Sequence, residues 1–153
     1  MNMPLVATVL TTLVIVAICV LVHYEGLRAL SRWVTLDILP ARGRIVTIIF
    51  GLILLHAAEI WIFAAGYFWL ESATNYADFL HLGYRNELAE RPMTLFDHGY
   101  YSAVVYTTLG FGDIVPVGAI RFLTGTEAVT GLGLITWSAS FVFIEMQRYW
   151  GRD

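Results

Sequence analysis

The chain has 153 residues, 58% of them hydrophobic and only 14% charged, with a formal net charge of −3 and a mean hydropathy of +0.70. A soluble domain carries about 25% charged residues, so this composition excludes an ordinary soluble enzyme, and the acidic balance argues against a nucleic-acid partner. Cys19 is the single cysteine, inside an apolar run, so neither an internal disulfide nor a thiolate-built metal centre is expected. All nine basic residues are arginine, for which we have no physical account.

In chain order, an apolar run from Pro4 to Val22 carries no charge and ends in His23-Tyr24-Glu25. It lacks a positive start and a cleavage site, so it reads as a retained membrane helix. From His23 to Arg44, Leu27, Leu30, Trp33 and Leu36 keep roughly helical spacing with Arg28 and Arg32 between them. That pattern predicts a separate helix lying in the membrane interface, broken by Pro40 and Gly43. Residues 1–44 thus form a first unit: a membrane helix and a cytoplasmic interfacial segment.

The second span runs from Ile45 to Leu70 and contains His56 and Glu59. A polar stretch, Glu71–Met93, comes next. Thr94–Asp113 is amphipathic and too short to cross the bilayer as a simple helix. Thr94 with Asp97 makes a weak capping-box variant, predicting a short helix from Phe96 to Thr107. Such a helix enters the membrane from one side, stops near the midplane and aims its negative dipole end at the residues beyond it. The third span begins after Pro116 and Gly118 and reaches about Glu145, leaving a short tail, 149–153. Trp33, Trp61, Trp69 and Trp150 read as interfacial or lipid-facing aromatics.

Arginine placement sets an orientation. Arg28, Arg32, Arg42, Arg44, Arg148 and Arg152 fall on one side, and only Arg85, Arg91 and Arg121 on the other. The second side is acidic, with Glu71, Asp78, Glu87, Glu90, Asp97 and Asp113. The positive-inside rule puts the N-terminus outside and the C-terminus in the cytoplasm, in what we expect to be a bacterial inner membrane.

Immediately after the short helix stands the run Thr107-Thr108-Leu109-Gly110-Phe111-Gly112-Asp113. Broken backbone is tolerated at membrane depth only where it is buried in protein or lines a wet path. Gly110 and Gly112 reach backbone angles closed to other residues, so successive carbonyls can point to one side, with the Thr108 hydroxyl at the inner end. A ladder of oxygens of this kind replaces a cation's water shell. One chain supplies one side of it, so a closed homo-oligomer is required, with four copies expected.

This run resembles the signature of the potassium-channel pore-domain family, Thr-x-Gly-Tyr/Phe-Gly-Asp, at Thr108, Gly110, Phe111, Gly112 and Asp113. The resemblance covers residues 45–148 and includes the order span, re-entrant helix, filter, span. It implies an all-α membrane protein with three transmembrane helices, a re-entrant pore helix and a filter, assembled as a homotetramer. K+ would be held by the carbonyls of Thr108, Leu109, Gly110 and Phe111, with no other cofactor. Tyr100 and Tyr101 stand where the family places aromatics that brace the filter, and Pro116 follows it as the family often has it. The chain departs from the usual pattern at Leu109 for valine, at Phe111, which lacks a tyrosine hydroxyl, and at Val104, where some members pair a glutamate with the filter aspartate. The hydroxyls of Tyr100 and Tyr101 therefore need other partners.

Further polar groups lie within the spans. His56 and Glu59 share a helix face, and Glu127 falls at a similar depth. Ionisable groups in a span are functional by default. This predicts a buried cluster of His56, Glu59 and Glu127 behind the filter, open to Tyr106 or Thr107 as a further member, with pH-dependent opening as its consequence. The bland alternative is that each bonds separately to backbone or hydroxyl groups. Gly131 and Gly133 read either as a hinge of the inner helix or as close-packing residues. Thr136, Ser138 and Ser140 read as cavity-lining, and Phe141, Phe143 and Ile144 as an apolar inner constriction. His81 and His98 fall outside the membrane with no metal-ligand spacing.

No span carries arginine at every third position, so no voltage sensor is expected, and the short tail leaves no attached ligand-binding domain. Gating would come from the filter, the helix bundle, lipid, pH or a separate regulatory protein. The leading reading is a passive potassium-selective channel. Its rivals are a weakly selective monovalent cation channel on the same scaffold and, from another class, a non-conducting regulatory subunit. A transporter is disfavoured because related ones carry four such loops in one chain. No nucleophile–base pair points to an enzyme.

Overall fold

A computed structural model describes residues 3–34, 40–74, 78–82 and 92–150. Its elements, in order, are α1 (Met3–Val34), α2 (Ala41–Thr74), β1 (Asp78–His81), α3 (Leu95–Tyr106), β2 (Ile114–Val117), a 3₁₀ turn (Gly118–Ile120) and α4 (Arg121–Trp150). Three helices, α1, α2 and α4, are long and apolar enough to cross a membrane, as the sequence predicts for an all-α membrane protein. Leu36, Arg85, Glu87, Glu90, Arg91, Arg152 and the side chain of Trp150 lie outside the described residues.

The first helix corrects one expectation. His23–Val34 continues α1 without a break, so it is not a separate interfacial helix. Pro4 sits in the first turn, where proline needs no hydrogen-bond partner, and nothing downstream forces a stop. At 1.5 Å per residue the helix is about 48 Å long. Its buried positions, Thr8, Thr12, Ile15, Cys19, His23, Leu27 and Val34, recur every three or four residues, with one two-turn gap between Leu27 and Val34. They form one stripe against the rest of the chain.

Close approach of α1 and α2 depends on small residues. A Cβ on Gly26 would lie 2.7 Å from the Leu55 side chain, one on Gly51 2.4 Å from Leu30, and one on Gly66 2.2 Å from Ile15. Within lipid, helices gain little from hydrophobic burial, and van der Waals packing through such positions drives association. Leu27, Val34, Ile48 and Leu52 form the resulting inner cluster, with Phe141 packed against it.

The short helix begins as its sequence predicts. The Thr94 amide donates to Asp97 Oδ2 at 2.7 Å and the Asp97 amide to Thr94 Oγ1 at 3.3 Å, a complete capping box. α3 runs Leu95–Tyr106, one residue earlier at each end than expected. His98, fully buried, fixes its first turn: Nδ1–H donates to the Thr94 carbonyl at 2.8 Å, and Nε2 lies 2.8 Å from Glu71 Oε2 at the end of α2. The rings of Tyr67, Phe79 and Tyr101 meet edge to face beneath it.

The strand pair has no counterpart in the sequence expectations. β1 and β2 run antiparallel with Phe79 opposite Pro116 and His81 opposite Ile114, and the Leu82 amide donates to the Asp113 carbonyl at 2.7 Å. This ribbon clips the segment after α2 to the segment beyond the Gly/Thr run.

Candidate functional site

Residues 107–113 start where α3 stops. The last carbonyls of a helix lack intrahelical partners, and here the next residues supply them. Amides of Leu109 and Gly110 both donate to the Val104 carbonyl, at 3.0 and 3.3 Å, and the Thr108 amide donates to Val105 at 2.9 Å. The run therefore folds back onto the end of α3. Val104 acts here through its backbone, which any residue provides.

Every second residue then takes a positive φ: Thr108 at 58°, Gly110 at 59° and Gly112 at 77°. Sequence reading foresees two such positions; Thr108 adds a third, at a residue type that rarely occupies this region. A Cβ at Gly110 or Gly112 would meet nothing within 4 Å. Backbone conformation, not crowding, is what demands glycine at both. Leu109 is 59% exposed and Phe111 63%, although both are large and apolar.

The far end of the run is tied down by a side chain. Tyr100 Oη donates to Asp113 Oδ2 at 2.8 Å. Tyr101 finds its own partner in Thr124 Oγ1 on α4, at 3.0 Å. Both tyrosine hydroxyls thus have the alternative partners that Phe111 makes necessary.

Behind the run lies a buried polar group at the foot of α3. Nδ1 of His23 is 2.8 Å from Glu59 Oε1, Nδ1 of His56 is 3.1 Å from Glu59 Oε2, and the Tyr106 hydroxyl also donates to Oε2. Ser138 completes it, with Oγ 3.0 Å from His56 Nε2 and 3.4 Å from His23 Nε2. The sequence groups His56 and Glu59 with Glu127 and leaves Tyr106 or Thr107 open as a further member; His56, Glu59 and Tyr106 do meet. It does not point to His23, which reads as the end of the first span, or to Ser138, which reads as lining a cavity. Ser138 is instead turned inward and nearly fully buried.

Glu127 belongs to a neighbouring group. Tyr67 and Ser102 donate to its two oxygens. Ser102 also reaches the carbonyl of Ile60 at 2.8 Å, one residue beyond Glu59, and Tyr67 reaches Thr124 at 3.4 Å. The predicted three-residue cluster is therefore two adjoining sets, one centred on each glutamate. Thr107 joins neither by its side chain, which bonds the Ala103 carbonyl.

On α4, a Cβ at Gly131 would lie 2.2 Å from the Tyr106 carbonyl oxygen, whereas one at Gly133 would meet nothing within 4 Å. Close packing against α3 accounts for Gly131. Thr136 and Ser140 are exposed and bond carbonyls one turn back. Phe143 and Ile144 are exposed at 61% and 62%, while Phe141 packs inside the chain against the Leu27–Leu52 cluster and stands apart from them.

A family model described as ion channel, of the two-span potassium-channel pore type, matches residues 55–148. No curated protein and no solved structure matches the chain.

Proposed function

The chain belongs to the potassium-channel pore-domain family, and from that membership we propose that it is a passive potassium-selective channel whose filter is the backbone of Thr108, Leu109, Gly110 and Phe111. It is an ion channel of a membrane-spanning family, not a member of an enzyme family. The observation that carries the selective reading is the alternation of positive φ at residues 108, 110 and 112. Positive φ at every second residue lets successive carbonyls turn to a common side, while the amides of Thr108, Leu109 and Gly110 are already drawn back to α3. Carbonyl dipoles facing a path replace the hydration shell of a monovalent cation.

Assembly follows from what one chain lacks. The apolar side chains of Leu109 and Phe111 stand exposed, and a single ladder encloses no ion. Four copies in a closed ring supply both the cover and the remaining oxygens. The two terminal sides differ in charge as the arginines dictate, so Asp113 and the β ribbon face outward and the end of α4 faces the cytoplasm. Tyr100 supports selectivity over the weakly selective alternative, because it restrains the outer carboxylate that Val104 leaves without a glutamate partner.

Gly110→Asp tests this path. Its side chain would stand in a left-handed position and in the line of carbonyls, and K+ flux from liposomes should be lost while the tetramer still forms. Flux persisting in that variant would place the path elsewhere.

A further inference from the structure

At the foot of α3, one ring nitrogen from each of His23 and His56 and a carboxylate oxygen of Glu59 lie within 4.8 Å of one another. The phenol oxygen of Tyr106 joins them, 2.9 Å from His56 Nδ1 and bonded to Glu59. We propose that these residues form a binding site for a divalent first-row transition ion of the zinc type. His23, His56 and Glu59 are its ligands and Tyr106 stands at the fourth position. The proposal concerns the interior of one chain and does not depend on what the filter conducts.

Proton bookkeeping leads to it. An ionised carboxylate only accepts hydrogen bonds, so without an ion His23 Nδ1–H points at Glu59, and so does His56 Nδ1–H unless that nitrogen accepts from the Tyr106 hydroxyl 2.9 Å away. A neutral imidazole has one hydrogen, and with both so directed both Nε2 atoms are bare acceptors. Both face the same hydroxyl, Ser138 Oγ, at 3.0 and 3.4 Å. One hydroxyl has one hydrogen, so with both Nδ1–H groups toward Glu59 it satisfies only one of the two Nε2 acceptors. An ion on the Nδ1 side reverses both tautomers. Each Nδ1 becomes a ligand, each Nε2–H donates, and the Ser138 oxygen has two lone pairs to receive them. A hydrogen-bond partner on the far ring nitrogen is the usual outer shell of a metal-binding histidine.

An extra proton on one imidazole, or a hydrogen from Tyr106 to His56 Nδ1, also completes the network, but neither requires two histidines to converge on one carboxylate. Here two histidines from different helices turn the same nitrogen to one carboxylate and the other to one hydroxyl. Imidazole, carboxylate and phenol donors suit zinc and its neighbours better than calcium or magnesium. Bonds of about 2.0–2.1 Å in tetrahedral array set ligand atoms about 3.3 Å apart. The Nδ1 atoms now lie 2.8 and 3.1 Å from the two different oxygens of Glu59 and the Tyr106 hydroxyl 2.5 Å from one of them, so the carboxylate turns one oxygen to the ion and these contacts lengthen by about 0.2–0.8 Å. His56 is the partly open member, with 19% of its side chain exposed against none for His23 and Glu59, so the ion enters past it. Binding ties α1 and α2 to the last residue of α3, immediately before Thr107, and gives the additional first helix a task.

Cobalt(II) reports on this without any flux measurement. The full chain, purified in detergent and dialysed against Co2+, should retain one ion per chain with visible d–d absorption, displaced by Zn2+. His23→Gln and His56→Gln should each abolish that absorption. Ser138→Ala keeps all the ligands and guards against misfolded variants; it should retain the bands but bind about 10–100-fold more weakly. His81→Gln, on the outer ribbon, should bind as the parent does. Failure of the parent to retain Co2+ would overturn the proposal in favour of a shared proton. Bands that survive both histidine variants, or vanish in His81→Gln, would also overturn it.

Discussion

The Tyr100 hydroxyl donates to the Asp113 carboxylate across 2.8 Å, joining the second turn of α3 to the far end of the run 107–113. Tyr100 precedes the run by half of α3 and Asp113 closes it, so this one bond brackets every residue of the proposed filter.

Tyr100→Phe removes the bond and keeps the ring. The pair is exposed, so the bond contributes about 1 kcal/mol. If that energy serves to hold the conducting shape, the K+/Na+ permeability ratio should fall about five-fold. Asp113→Asn should fall similarly, and the double variant should fall no further than either single one. Additive losses would mean the two residues act independently.

Gly112→Ala separates conformational strain from crowding. Nothing lies within 4 Å of the new methyl group, but φ is 77°, and an L-residue held there costs about 1–3 kcal/mol. In the proposed channel, conductance should therefore fall while the tetramer stays assembled. An unaffected channel would show that the backbone accommodates alanine by leaving the positive-φ region.

Gly131 and Gly133 should differ sharply. Gly131→Ala forces a methyl group against the Tyr106 carbonyl and should destabilise the protein by about 1–3 kcal/mol, read as a lower melting temperature. Gly133→Ala meets open space and should change stability by less than about 0.5 kcal/mol. A large gating change in Gly133→Ala at unchanged stability would instead mark a hinge there.

The two glutamates should not be equivalent. Glu59 has three close polar partners, His23, His56 and Tyr106, and Glu59→Gln replaces one of its two accepting oxygens by an amide N–H. Loss of about 2–3 kcal/mol in thermal unfolding is expected. Both donors to Glu127 have second acceptors, Thr124 for Tyr67 and the Ile60 carbonyl for Ser102. Glu127→Gln should therefore cost less. Equal losses would contradict the separation into two sets.

Local chemistry makes some of this legible in the sequence. The capping box at Thr94 and Asp97 fixes the start of α3 within one residue, and three long apolar runs give the spans. Gly110 and Gly112 point to positive φ because glycine tolerates it; Thr108 gives no such sign, since its conformation is imposed by the end of α3. The strand pair is hidden because four-residue strands leave no clear alternation. His23 pairs with His56 across 33 residues, a distance at which spacing carries no information. The stripe from Thr8 through Thr12, Ile15 and Cys19 to Leu27 does hold the clue, since His23 falls on it. Reading His23 as the end of a span separates it from that face.

The reversal potential under opposed K+ and Na+ gradients, across a planar bilayer holding the purified protein, tests the selective filter most directly. A potential close to the K+ equilibrium value, with current lost in Gly110→Asp, is the predicted result. A potential near zero with robust current would contradict selectivity for potassium.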